Sequence, residues 1–217
     1  MTKIMDAVME HAGRAMLGMG QPDAVAATVA TWNACVATLM SPEVTPAPRL
    51  NDAASLLWSL CSSRTICTAM MPDVPSLSFI GLVTRDDSGR EIGIIAIPEN
   101  WLRLFAVDPW LQLGAVMYSA SRARDFWSGK LREIDIVTER RAKAHEAEFL
   151  RFALADESKK RFKATAYQGA VLAAFPSFPT DLEYESVPFD LARAQAKFGD
   201  YSDRGIQLPV GPAETRK

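Results

Sequence analysis

Apolar positions recur at a helical interval at the start of the chain. Ile4, Met5, Val8, Ala12, Ala15 and Met16 share one face over residues 3–17, and Gly18 and Gly20 end the run. A second helix, rich in Ala and Val, is predicted over 23–40 with Asp23 as its N-cap after Pro22. The stretch SPEVTPAPR then places Pro42, Pro46 and Pro48 within seven residues, the composition of a linker. Residues 1–41 therefore read as an N-terminal helical hairpin and 42–49 as a Pro-rich linker. Residues 50–175 form the main domain, and 176–217 an extended C-terminal segment with one short helix.

Within the main domain, Asn51 or Asp52 is placed to cap a short helix carrying Leu56, Leu57, Trp58 and Leu60. The rhythm then shifts. SFIGLVT and REIGIIAIP flank the polar, Gly-ended RDDSG, which predicts a β-hairpin over about 77–98. Its second run, with Ile92, Ile94, Ile95 and Ile97, is nearly continuous in apolar character and implies cover on both faces. Helices are expected over 99–105 and 109–125, the latter with Asp108 as N-cap and Pro109 in the first helical position. LREIDIV, 131–137, alternates as a third strand would, and Thr138 is set to cap the long helix that follows. A last helix restarts near Ser158 and runs to about Ala174. The predicted class is α+β: mainly helical, with a small antiparallel sheet built on that hairpin.

Composition changes this picture little. Of 217 residues, 48% are hydrophobic and 23% charged, an ordinary globular balance, and the net charge of −2 excludes a surface given over wholly to nucleic acid. Asp6, Glu10 and Arg14 break the apolar runs at the N-terminus, which is not the pattern of a signal peptide, and no stretch reads as a membrane span. Three cysteines, Cys35, Cys61 and Cys67, make no CxxC pair and suggest buried thiols in a reducing, cytoplasmic setting.

Charge distribution is more informative than its total. Between Ser121 and Lys163 twelve Lys and Arg face eight Asp and Glu, whereas the rest of the chain holds twelve against eighteen. This basic region contains Arg122, Arg124 and Lys130 around Phe126 and Trp127, Arg140 and Arg151 on the long helix, and Lys159, Lys160, Arg161 and Lys163 around Phe162. Cations interleaved with aromatics suit a grip on a single-stranded nucleic acid backbone, and those nine basic residues are the candidate contacts. On the long helix, Ala142, His145, Phe149, Phe152 and Ala153 form the expected core stripe, while Arg140, Ala144, Ala147 and Arg151 fall opposite it. The competing reading is a solvated face, since Glu139 to Lys143 and Glu148 to Arg151 have the spacing of helical ion pairs. The aromatics read equally as core.

Catalytic, cofactor and metal motifs are missing. With only His11 and His145 a three-histidine zinc site is impossible, and HEAE at 145–148 lacks the second histidine of HExxH. RDDSG reads as a turn and not a calcium loop, and Asp181, Glu183 and Glu185 as a solvated acidic segment. No Walker loop or GxGxxG follows a strand. The sequence therefore predicts a non-enzymatic subunit of a multi-subunit nucleoprotein complex with protein partners. Two alternatives stand beside it. One is a structural assembly protein without nucleic acid, whose basic surface meets acidic segments of its own copies. The other is a small-molecule-binding protein or enzyme whose pocket uses Trp101, Trp110 and Tyr118, a reading that a ligand-sized cavity between hairpin and helices would favour.

Overall fold

In the computed structural model the described residues are 24–42, 45, 47–62, 65–72, 74, 76–85, 91–129, 135–155 and 166–182. The expected helix at 3–17, the glycine turn that follows it, and Lys130, Lys159, Lys160, Arg161 and Lys163 lie outside them. So do residues 86–90 and 131–134.

Helix α1 (Ala24–Met40) and helix α2 (Pro48–Ser62) come first. Trp32, Cys35 and Leu39 of α1 and Leu50, Leu57 and Leu60 of α2 are buried in one core. Pro48 opens α2 because a first-turn N–H has no acceptor within the helix, so proline's lack of one forfeits no hydrogen bond. Asn51 is thus not a cap but an interior residue. Its side-chain amide donates to the Leu39 carbonyl at 2.9 Å and the Thr45 carbonyl at 2.7 Å, fastening the end of α1 and the linker to α2.

Strands β1 (Ile66–Met71), β2 (Ser78–Arg85) and β3 (Glu91–Pro98) form one sheet in the order β1-β3-β2. The sheet is mixed, not antiparallel as the sequence suggested. β2 pairs antiparallel with β3, but β1 runs parallel to β3, from Ile66 opposite Gly93 to Met71 opposite Pro98. β3 is central, with Ile94, Ile95, Ala96 and Ile97 all buried, which accounts for its unbroken apolar run.

Helix α3 (Trp101–Val107) leads into helix α4 (Pro109–Ser128). The Asp108 carboxylate accepts from the Leu111 N–H at 3.0 Å, with Pro109 in the first turn as expected. Gly129 ends α4 at φ 76°, a left-handed position that suits glycine. Helix α5 (Ile136–Ala155) begins one turn earlier than predicted. Asp135, not Thr138, caps it, accepting from the Val137 N–H at 2.8 Å, so residues 136–137 are helix and not strand. Helix α6 (Ala166–Ala174) and a short turn of 3-10 helix (Thr180–Leu182) complete the described chain. The class is α+β and mainly helical.

α5 is buried around most of its girth. Ala142, Ala144, His145, Glu146, Ala147, Phe149, Leu150 and Ala153 are all covered. The expectation that Ala144 and Ala147 leave an open face is corrected: their small side chains let neighbouring elements approach closely. Gly114 on α4 plays the matching part, since a Cβ there would lie 3.4 Å from Glu146 Cγ.

Candidate functional site

α5 divides two polar regions, and four of the nine basic residues singled out from the sequence, Arg122, Arg124, Arg140 and Arg151, fall among the described residues. Arg122 and Arg124 are buried, which corrects their placement on an open surface. Arg122 donates to Thr138 Oγ1 at 3.0 Å and lies 3.7 Å from Glu139. Phe126 and Trp127 between them are core side chains, not stacking platforms. Arg140 and Arg151 do reach outward, but toward the chain's own residues 175–182. Arg140 pairs with Asp181 at 3.2 Å, and Arg151 donates to the Phe175 carbonyl.

Those residues form a strap across α5. Arg141 Nε donates to the Leu182 carbonyl at 2.9 Å, while its Nη1 meets the fully buried Asp125 at 2.6 Å. The Phe178 ring lies between the Arg49 guanidinium, 4.4 Å from its centroid, and the His145 ring at 4.8 Å. His145 is buried, with Nδ1 3.0 Å from Ser121 Oγ and 3.1 Å from the Arg141 carbonyl. That carbonyl can only accept, so Nδ1 carries the proton. Burial pushes the ring's pKa down to about 3. The carbonyl hydrogen bond opposes this, and the charges of Arg124, Arg49 and Arg141 add to it.

On the other side of α5 a cleft of about 400 Å³ opens between the start of β2, α4, α5 and α6. Its apolar wall is Leu77, Leu111 and Ala115, and its polar wall is Gln112, Tyr118, Lys143, Glu146 and Tyr167. Lys143 Nζ donates to Glu146 Oε2 at 3.0 Å and to the Tyr167 hydroxyl. The Tyr167 hydroxyl in turn donates to the Glu146 carboxylate, 3.0 and 3.1 Å from its two oxygens. The ammonium also sits over two rings, 4.4 Å from the Tyr118 centroid and 5.0 Å from that of Tyr167. Tyr118 donates to Glu139 Oε2 at 2.5 Å.

These contacts fix the protonation states. Burial alone would lower the Lys143 pKa, but the Glu146 charge and the Tyr167 hydrogen bond together carry it above the ordinary lysine value. Tyr118 is raised by burial, then by its bond to Glu139, and Tyr167 is raised chiefly by burial. At neutral pH the cleft therefore presents an ammonium and two intact phenols.

Tyr118 is the one of the three proposed pocket aromatics that lines this cleft, while Trp101 and Trp110 are core. Sequence reading missed Leu111, Gln112 and Ala115, although with Tyr118 they fall at the i, i+1, i+4, i+7 spacing of one helix face. Lys143 and Glu146 at i, i+3 carried the same signal.

Among the described residues no group of three or more His, Cys, Asp and Glu side chains is placed to hold a metal ion. Cys35 and Cys61 are buried and in no disulfide, and burial pushes the Cys35 thiol up. No described helix is long and apolar enough to cross a membrane. Comparison with protein-family models, curated proteins and solved structures yields no match to this chain.

Proposed function

We propose that the protein binds a small molecule in the cleft between β2, α4, α5 and α6, and acts by recognition and not by catalysis. The cleft of about 400 Å³ carries this reading: it has ligand-sized volume and a lining that combines aliphatic side chains with several polar ones. The protonation states favour recognition. A charged lysine and protonated tyrosines supply neither a nucleophile nor a base, and Glu146 is committed to Lys143 and Tyr167.

Ligand-observed NMR with a fragment mixture tests the reading. Ala115→Phe puts a bulky ring into the cleft. Fragments that bind the natural chain and are lost in this variant support the proposal. A screen in which the two proteins behave alike sinks it.

The nucleic-acid contact expected from the sequence is a separate proposal and now has less behind it. Arg122 and Arg124 are buried, and Arg140 and Arg151 hold the strap. It rests on Lys130, Lys159, Lys160, Arg161 and Lys163. Fluorescence polarisation with a single-stranded oligonucleotide across a salt series decides it, because phosphate contacts weaken linearly in log–log against salt.

A further inference from the structure

We infer that the ligand of this cleft is a neutral molecule bearing an amide edge on a compact apolar body, an inference that rests on the cleft being a binding site. Two observations carry it.

The first is Gln112. Its residue exposure is only 6%, it lines the cleft, and its side-chain amide has no hydrogen-bond partner among the described residues. Asn51 shows how this chain treats a structural buried amide, giving it two carbonyl acceptors. Gln112 instead lines the cleft, and its amide has one donor end and one acceptor end to offer there. The complement of such an edge is another amide, whose C=O accepts from Nε2 while its N–H donates to Oε1.

The second is charge. Glu146, 2% exposed and 3.0 Å from Nζ, lines the same cleft and pairs with Lys143, so the two together bring no net charge to it. An anionic ligand would lose its hydration without gaining a net cation, and a cationic ligand would face the ammonium itself. A neutral carbonyl avoids both costs. Two of the three Nζ protons are engaged, by Glu146 and Tyr167, which leaves one donor for that carbonyl. Leu77, Leu111 and Ala115 then cover the apolar body.

The test uses benzamide, benzoate and benzamidine as probes on the full chain, read by ligand-observed NMR and thermal shift. Benzamide is expected to bind in preference to the two charged probes, and Gln112→Leu to weaken it by about tenfold, the scale of one or two lost hydrogen bonds. Gln112→Glu keeps the acceptor and adds a charge, and should move preference from benzamide to benzamidine, which a merely structural residue would not do. Equal or better binding of benzoate overturns the inference, as does benzamide binding untouched by either variant or no benzamide binding at millimolar concentration. In those cases fragments still displaced by Ala115→Phe leave the cleft reading standing. If none are, both fall together.

Discussion

On one side of α5, Arg141 and His145 lie beneath residues 175–182; on the other, Lys143 and Glu146 line a cleft. Both sides bring charged and aromatic groups together at short range, and both neutralise a basic side chain with a buried carboxylate, Asp125 for Arg141 and Glu146 for Lys143. What separates them is the cover. The arginine side is closed by the chain's own carbonyls and by Phe178. The lysine side stays open as a cleft, with Leu77, Leu111 and Ala115 among its polar lining residues. A charged cluster therefore says little about function until what fills the space above it is known.

The comparison breaks first at Asp125. Replacing it with Ala leaves Arg141 buried without its ion partner, and the expected loss is about 3–5 kcal/mol by urea unfolding. The double replacement Asp125→Leu with Arg141→Met should recover most of that. Failure to recover would mean that Arg141's hold on Leu182, and not the charge pair, sets the stability.

Acid comes next. His145 has a pKa of about 3 when folded and 6.5 ordinarily. Below pH 6.5 the unfolded chain binds a proton that the folded chain refuses, so stability falls with pH until the folded pKa is reached. The slope is about 1.4 kcal/mol per pH unit for this one group. His145→Gln should flatten that portion of the stability curve, and a variant with an unchanged slope would assign the acid sensitivity elsewhere.

Phe178→Ala should cost less, about 1–2 kcal/mol, because the ring is only half-buried. Its signature is local: faster amide exchange over 175–182, with fragment binding in the cleft unchanged. Coupled loss of both would show that the two sides of α5 are not independent.

The smallest effect is expected at Gln112→Leu, within about 0.5 kcal/mol of the natural chain, because no protein group loses a partner. Asn51→Ala, which strands two carbonyls, should cost about 2 kcal/mol. Equal losses at the two amides would remove the contrast between a structural and a ligand-facing amide.

What the sequence disclosed follows from how local each cause is. Asp108 with Pro109 is a short-range device, and the start of α4 was placed correctly from it. The apolar run of β3 was legible for the same reason. β1, ICTAMM, has neither alternation nor a turn beside it, and its strand character comes from pairing with β3 about 27 residues away in sequence. Asn51 has the residue type of a cap, and only the approach of Leu39 and Thr45 makes it a clasp. Arg122 and Arg124 carry the same letters as surface arginines, but Thr138 and Glu139, which hold Arg122, arrive from the next helix. The cleft is least legible of all, since α4, α5, α6 and the residues around Ser78 each contribute part of it.

The core carries one more consequence. Trp32 on α1 and Trp101 on α3 are both fully buried, with ring centroids 6.3 Å apart and planes inclined at 60°, and Phe105 lies 5.5 Å beyond Trp101. Two indoles that close couple their electronic transitions, so the near-ultraviolet dichroism of this protein should contain a signal owned by the α1–α3 contact alone. The chain thus carries an intrinsic optical reporter of whether its first described helix is seated, readable without any label.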